Sequence, residues 1–181
     1  VQTGAEDDDL GGRFDAHAKQ SRFRFTTTTP VNDEDAITGV IEFDFLLTSD
    51  GNERVSNSYV PRLRHAFIKY KEWLIGQTWS TIMDLRSLVE SVDFIGTTDG
   101  VAFARQSQIR YTSNGFEVAL ENPETTVGTT SAAQITTDDN SVPDLILTYT
   151  KNTDWGHFKV GGLFRQLAYE TGGQDYSDTG I

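Results

Sequence analysis

Charged side chains at alternate positions are the residues of this sequence whose spacing is best suited to chemistry. The segments RFR, residues 22–24, and RLR, residues 62–64, each carry two arginines two apart, and Glu42 and Asp44 repeat this spacing with carboxylates. Side chains two apart in a β-strand lie on the same face, so each segment presents two like groups together. Guanidinium groups bind anions through a fixed fork of N–H donors. A carboxylate pair can also hydrolyse glycosides, but two neighbours on one strand are typical of a charged wall, and we expect no catalysis.

Other catalytic and metal-binding patterns are absent from the sequence. His17, His65 and His157 are far apart, and none lies at ligand spacing from another histidine or a carboxylate. There is no G-x-S-x-G, no glycine-rich phosphate loop, no H-E-x-x-H and no cysteine. We therefore predict a protein that is not an enzyme and that has no metal and no cofactor.

The elements that position the charged pairs are predicted to be β-strands. The clearest pair is a hairpin within Tyr59–Ser80, in which a turn at Lys69–Glu72 joins a strand at Val60–Tyr70 to one from Trp73 to about Ser80. Alternating residues or β-forming residues predict six more strands, about eight in all. These six are Arg13–Thr28, Ala36–Thr48, Val101–Thr112, Phe116–Glu121, Asp144–Thr150 and Trp155–Tyr169. We predict loops before Gly12 and after Tyr169.

Composition narrows the class of protein. The chain has 181 residues, of which 36% are hydrophobic, and a formal net charge of −12. Binding to nucleic-acid phosphates requires a basic surface, which argues against a nucleic-acid partner. No window approaches the roughly 18 apolar residues of a membrane-spanning helix, whereas a membrane-spanning strand needs about 9–11 residues. Such a polar chain suits either a loop-rich soluble domain or a barrel with a wet lumen.

The connections between the predicted strands alternate in length. Short turns centre on residues 31–34, Lys71, Asn114 and Asn152, whereas residues 48–58, 81–100 and 122–142 form long loops. An up-and-down sheet would place all short turns at one end, which is typical of outer-membrane barrels. Aromatic residues flank three of the short turns, as expected of a girdle at a membrane interface. These aromatics are Tyr70, Trp73, Tyr111, Phe116, Tyr149 and Trp155.

We therefore predict that the apolar face of each strand meets lipid and that the charged face meets water in a pore, where arginines attract anions. The alternative is a soluble sheet whose exposed charges pair across strands. That alternative does not explain why nearly every strand has an apolar face in so polar a chain. The predicted pore-lining residues are Arg22, Arg24, Glu42, Asp44, Arg62, Arg64, Gln106, Gln108, Arg110, Glu117, Lys159 and Arg165.

The loop at residues 81–100 has a character of its own. Leu85, Leu88 and Val92 have helical spacing behind Asp84, a residue suited to an N-cap, so we predict a short helix over Met83–Val92. We expect this loop to fold inside the curve of the sheet and to narrow the bore. Its predicted constriction residues are Asp84, Arg86 and Glu90.

Three segments resemble a known family. The stretch RLRHAFIKYKEWLIGQTWSTIMDL, residues 62–85, RQSQIRYTSNGFEVALENPE, residues 105–124, and GRFDAHAKQSRFRFTTTTP, residues 12–30, are similar to the DcaP-type porins of Gram-negative outer membranes. The resemblance implies a homotrimer of barrels of about sixteen strands each that passes small anionic solutes, dicarboxylates among them. With about half those strands, this chain is expected to be a fragment of one porin domain, residues 1–181, lacking the first strand and the C-terminal half.

The sequence thus predicts an all-β, antiparallel, up-and-down transmembrane β-barrel, here in part, that acts as a passive outer-membrane channel with small anionic solutes and the lipid bilayer as partners. Two other hypotheses stay open at this point. One is a soluble β-sandwich or barrel that binds carbohydrate through Trp73, Trp79 and Trp155. The other is a small closed barrel that serves as a membrane anchor, with a filled interior that does not conduct.

Overall fold

The computed structural model describes residues 16–46, 51–52, 56, 58–88, 103–124, 126–128, 134–135, 139–171 and 173–180. Strands make up most of these segments, and among the residues described no helix is long and apolar enough to cross a membrane. The strands are β1 (Arg22–Pro30), β2 (Ala36–Asp44), β3 (Gly51–Asn52), β4 (Ser58–Tyr59), β5 (Arg62–Tyr70), β6 (Trp73–Trp79), β7 (Arg105–Ser113), β8 (Phe116–Glu121), β9 (Val127–Gly128), β10 (Gln134–Ile135), β11 (Asp144–Thr153), β12 (Gly156–Thr171) and β13 (Gln174–Gly180).

Nine of these strands form one antiparallel sheet in the order β1, β2, β5, β6, β7, β8, β11, β12, β13. Each strand pairs with the next sheet strand along the chain, so the sheet is an up-and-down meander. The remaining strands form two small ribbons, β3 with β4 and β9 with β10, within the longer connections. In the described part of the chain β1 and β13 are the two edges and the sheet is open. The predicted all-β antiparallel fold is confirmed.

The alternation of short and long connections is also confirmed. Residues 31–35, 71–72, 114–115 and 154–155 are short connections at one end of the sheet, and residues 45–61, 80–104 and 122–143 are long ones at the other. The turn at residues 114–115 has the expected left-handed backbone, with φ of 50° at Asn114 and 86° at Gly115. The connection from β12 to β13 breaks the pattern, because only two residues separate these strands at the end where the other connections are long.

The sheet has an exposed apolar face and a buried charged face. Ile68, Ile75, Ile109 and Leu120 lie opposite one another on consecutive strands, and all four are exposed. On the other face the carboxylates of β2 are buried, with relative exposures of 4% and 1% for the two acidic residues. In water the hydrophobic effect would favour the reverse arrangement. The exposed apolar face of this sheet is therefore suited to an apolar environment rather than to water.

A bulge in β5 changes which residues reach the charged face. Glu42 of β2 lies opposite His65, but the next residue, Phe43, lies opposite Leu63, so Arg64 is the extra residue. Strict alternation would place Arg64 and His65 on opposite faces, yet both are buried. The bulge therefore delivers both side chains to the charged face.

Gly76 allows β6 to pack closely against β5 next to this bulge. Its φ is +126°, and a Cβ at this position would lie 2.2 Å from the carbonyl oxygen of Ala66. A residue other than glycine does not fit there without moving the backbone.

Three details of the predicted elements are wrong. The helix predicted over Met83–Val92 is a three-residue 3-10 turn, Leu85–Ser87, because Leu88 has extended backbone; residues 89–92 lie outside the described part. The tail predicted as loop contains β13, which pairs with β12 along its length. The first strand begins at Arg22 rather than near Arg13, and residues 13–15 lie outside the described part.

Candidate functional site

The most densely charged part of the buried face lies on β1, β2 and β5. Arg62 donates from Nε to Oδ1 of Asp44 at 2.9 Å and from Nη2 to Oδ2 at 2.8 Å. Arg64 bridges the two acids, donating from Nε to Oε1 of Glu42 and from Nη1 to Oδ2 of Asp44, both at 2.8 Å. The register of β2 with β5 places these groups side by side, since Asp44 lies opposite Arg62.

Two arginines from the edge strand β1 complete this set. Nη1 of Arg24 donates to Oε2 of Glu42 at 3.2 Å, and Nε of Arg22 lies 3.6 Å from Oε1 of Glu42. Their side chains are 54% and 43% exposed, whereas that of Arg64 is 4% exposed. The structure thus brings together six predicted site residues, Arg22, Arg24, Glu42, Asp44, Arg62 and Arg64. Arg64 is buried and binds both carboxylates, whereas Arg22 and Arg24 are exposed to solvent.

A second charged set lies on β7, β8, β11 and β12 and is balanced in charge, because Arg110, Lys159 and Arg165 lie with Glu117, Glu121 and Asp144. Arg165 donates hydrogen bonds from Nε and Nη2 to the carboxylate of Asp144. Its Nη1 also donates to the carbonyl oxygen of Glu124 at 2.8 Å. Nζ of Lys159 lies 3.1 Å from Oε2 of Glu117. Arg110 of β7 approaches the other oxygen of Glu117 at 3.8 Å. The charged face is therefore more positive on the side of β1, β2 and β5.

The chain after β6 lies across this second set. The Thr81 amide donates to Oε1 of Glu121 at 2.6 Å, and the Thr81 hydroxyl donates to Oε1 of Gln108 at 3.0 Å. Two residues further along, the carbonyl of Met83 accepts a 3.1 Å hydrogen bond from Nζ of Lys159. This segment, residues 80–88, therefore packs against the charged face of β7, β8 and β12.

The far end of the segment is fixed near the short-connection end of the sheet. His157 lies with Nε2 2.5 Å from Oδ2 of Asp84, and Nη1 of Arg86 donates to Oδ1 of Asn152 at 2.8 Å. Asp84 also caps the 3-10 turn by accepting the Arg86 amide at 3.1 Å. Partial burial alone would raise the pKa of Asp84, but the bonds from His157 and from the Arg86 amide hold this pKa below its usual value. Asp84 is thus anionic at neutral pH.

A pocket of ≈ 450 Å³ lies between the segment and the sheet, and its lining includes Asp84, Arg86, Arg110, Glu117 and Lys159. Glu90, the third predicted constriction residue, lies outside the described residues. The other predicted residues of β7 are at the same face: Gln106 lies opposite Thr78 and is half-buried, whereas Gln108 is buried and donates to the Trp79 carbonyl at 3.0 Å.

Sequence reasoning missed two groups of this face. His65 was missed because simple alternation takes no account of the bulge in β5. In the structure its Nδ1 lies 3.0 Å from the hydroxyl oxygen of Thr78. Arg105 was missed because it directly precedes Gln106 and alternation assigns it to the opposite face. The guanidinium of Arg105 instead lies over the Trp79 ring, 3.7 Å from its centroid, with Arg64, Arg62 and Asp44 among its electrostatic neighbours. Within the described residues no cluster of metal-binding side chains occurs.

An antiparallel meander with its apolar face exposed and its charged face buried defines the chain as a transmembrane β-sheet protein of the outer-membrane type. Residues 10–126 match the family described as DcaP outer membrane protein, and the chain belongs to this family. It is therefore an outer-membrane protein, and the soluble alternative is excluded.

A solved structure supports the same assignment. The chain is similar to the outer membrane channel DcaP of Acinetobacter baumannii, with 28% sequence identity and a TM-score of 0.65. The match covers 93% of this chain and 48% of that one, so the present chain spans about half the length of the solved structure. A comparison with curated proteins found no match.

Proposed function

We propose that this chain forms part of the wall of an outer-membrane channel through which small hydrophilic solutes diffuse passively, with a preference for anions such as dicarboxylates. The observation that carries the proposal is the sidedness of the sheet. Three isoleucines and a leucine from four strands form an exposed row, while the arginines and carboxylates share the opposite face. In a membrane the apolar face contacts lipid, and the charged face then borders water.

The preference for anions is supported by how charge is distributed over that face. The net charge of the chain is −12, yet around Glu42 and Asp44 five arginines face two carboxylates. A positive wall in a narrow aqueous path raises the local concentration of anions, whatever the total charge of the protein. We therefore also propose that Arg22, Arg24 and Arg62 line the pore, as the sequence predicts.

The constriction is proposed to be the segment after β6. Its hydrogen bonds to Glu121, Lys159 and His157 hold Asp84 and Arg86 on the charged face, where they would narrow the water-filled path. Family membership supports the further proposal that the complete protein is a homotrimer and has no enzymatic turnover. A trimer is expected in native electrophoresis of the detergent-extracted protein, with one monomer-sized band after boiling.

Reversal potentials in planar bilayers under a salt gradient test the proposal. Step-like conductance is expected, because a filled anchor barrel would not conduct, and the reversal potential should report anion preference. Replacing both exposed arginines, Arg22→Gln with Arg24→Gln, should lower the anion-to-cation permeability ratio by roughly two- to fivefold, as expected for the loss of two wall charges. The control Lys71→Gln with Lys151→Gln removes the same charge outside the charged face and should leave the ratio unchanged. Absence of conductance, or equal ratios in both double variants, would contradict the proposal.

A further inference from the structure

The pocket between the sheet and the segment at residues 80–88 has room for a small solute. Its volume of ≈ 450 Å³ lies within the range of small-molecule sites in proteins. Among its lining residues Met83 is buried, whereas Leu85 and Arg86 are exposed, so the pocket opens to solvent beside the 3-10 turn. A solute in the water along the charged face can therefore enter it.

Arg110 lines this pocket and makes no hydrogen bond within the part of the chain that the structure describes. Its nearest carboxylate belongs to Glu117, whose Oε1 lies 3.8 Å from Nη1, beyond hydrogen-bond distance. The side chain is 19% exposed, and Nε is buried without an acceptor. The two Nη nitrogens, equally unpartnered among the described residues, retain accessible surface. Because shielded guanidinium donors are nearly always hydrogen-bonded, these Nη nitrogens are available to an acceptor that enters the pocket.

The other shielded charges of the pocket are already bonded to the protein. Nζ of Lys159 donates to Oε2 of Glu117 and to a backbone carbonyl, both at 3.1 Å. Oδ2 of Asp84 lies 2.5 Å from Nε2 of His157. Among the described residues, Arg110 is thus the shielded cation of this pocket whose donors are free for a ligand.

The charge and the surface of the lining define the ligand that fits. Three cationic side chains and two carboxylates line the pocket, so its net charge is three minus two, or +1; they are Arg86, Arg110, Lys159, Asp84 and Glu117. One carboxylate neutralises this excess, and it accepts charge-assisted hydrogen bonds from a guanidinium. Met83 and Leu85 add apolar surface to the same lining. A hydrocarbon group packed there would be removed from water, which is favourable.

We propose that this pocket binds one small organic carboxylate, with the carboxylate on the Nη nitrogens of Arg110 and the hydrocarbon part against Met83 and Leu85. The proposal rests on the channel function and adds a binding step at its constriction. The segment that narrows the path then forms one wall of a solute site, and the sheet forms the other. Because inorganic anions have no hydrocarbon part, the site distinguishes organic anions from inorganic ones.

Tryptophan fluorescence tests the site independently of conduction. Trp73→Phe with Trp155→Phe leaves Trp79, which lines the pocket, as the one tryptophan of the chain. The detergent-purified protein is titrated with sodium butyrate and, separately, with sodium acetate, against sodium chloride at equal ionic strength. Butyrate should give a saturable change in emission at a roughly three- to tenfold lower concentration than acetate, the gain expected for partly burying two methylene groups. No saturation with butyrate, or equal half-saturation by butyrate and acetate, would overturn the proposal.

Two substitutions test the two halves of the site. Arg110→Gln should raise the half-saturating butyrate concentration about tenfold or more, the usual loss for a charge-assisted hydrogen bond. Leu85→Ser should leave the value for acetate within about twofold but remove most of the advantage of butyrate. The control Lys71→Gln removes an equal charge from a short connection and should change neither value. Unchanged butyrate saturation in Arg110→Gln would overturn the proposal. An unchanged butyrate advantage in Leu85→Ser would do so even if Arg110→Gln failed to fold.

Conductance of the same preparation distinguishes the two proposals. A protein that shows the saturable signal but no conductance would contradict the channel function and support the carboxylate site. A protein that conducts with anion preference but shows no saturable signal would support the channel and overturn the role of Arg110.

Discussion

His157 Nε2 and Asp84 Oδ2 lie 2.5 Å apart and join β12 to the segment that follows β6, although the two residues are 73 positions apart in the chain. Both side chains are 20% exposed, so the contact is shielded from water on most sides. Lys159, two residues further along β12, holds the preceding part of the same segment through the Met83 carbonyl. β12 therefore holds this segment on the charged face at two points, Met83 and Asp84.

Asp84→Asn should loosen this segment without unfolding the sheet. The neutral amide keeps the shape of the side chain but loses the charge-assisted bond, a loss of about 1–2 kcal/mol that would raise the population of a detached segment roughly tenfold. Single-channel recordings should show more current noise and a larger mean conductance. Asp154→Asn, a change of the same kind in an exposed turn, is the matched control and should record like the unchanged protein.

Acid should loosen the same segment. The folded-state pKa of Asp84 is lowered, so its contribution is complete above the unfolded value of about 4 and is lost as the pH falls through the folded value. Current noise should therefore be constant from neutral pH to about pH 4 and rise below it. Arg86, Lys159 and Glu117 also line this region. Noise in Asp84→Asn should rise less over the same range, and an equal rise in both proteins would show that Asp84 is not the group responsible.

Asp44→Ala should be strongly destabilising. The substitution leaves Arg62 and the buried Arg64 without a shared carboxylate, and breaking a buried pair from one side costs about 3–5 kcal/mol. Arg24→Gln removes a partner from the neighbouring Glu42, but the Arg24 side chain is 54% exposed, so its loss should cost less than about 1 kcal/mol. Urea unfolding in detergent, followed by the heat-dependent shift in electrophoresis, compares the two. Similar losses of unfolding free energy in Asp44→Ala and Arg24→Gln would show that the buried carboxylates do not stabilise this face more than the exposed arginines do.

Val160→Lys tests which side of the sheet meets lipid. Val160 is 68% exposed, and a lysine there would be harmless in water but should cost about 2–4 kcal/mol if the position lies near the middle of a bilayer. Val31, 50% exposed in a short connection, is the matched site, and Val31→Lys should change stability by less than about 0.5 kcal/mol. Folding yield into lipid vesicles measures the difference. Equal yields would place the apolar face outside the membrane.

Local rules were enough to predict most of the sheet. A period of two assigned Arg22, Glu42 and Gln108 to one face, and the register of the strands places them there, because the direction of a side chain in a regular strand depends only on its position in the strand. The turn at Asn114 was equally predictable, since Asn-Gly is suited to the positive φ values it has. The strand β13 was missed because QDYSDTG has little apolar character, and its pairing with β12 supplies what its own residues do not signal.

What the sequence by itself determined was therefore the class of fold, the sidedness of the sheet and the positions of its short turns, all of which follow from patterns a few residues long. Tertiary structure decided the rest. The bulge that turns both Arg64 and His65 to the charged face depends on how β5 registers with β2, and the path of Asp84 to His157 depends on contacts across the whole sheet. Arg105 reaches Trp79 and the neighbouring arginines for the same reason: its surroundings are contributed by β2, β5 and β6, and no local pattern around residue 105 describes them.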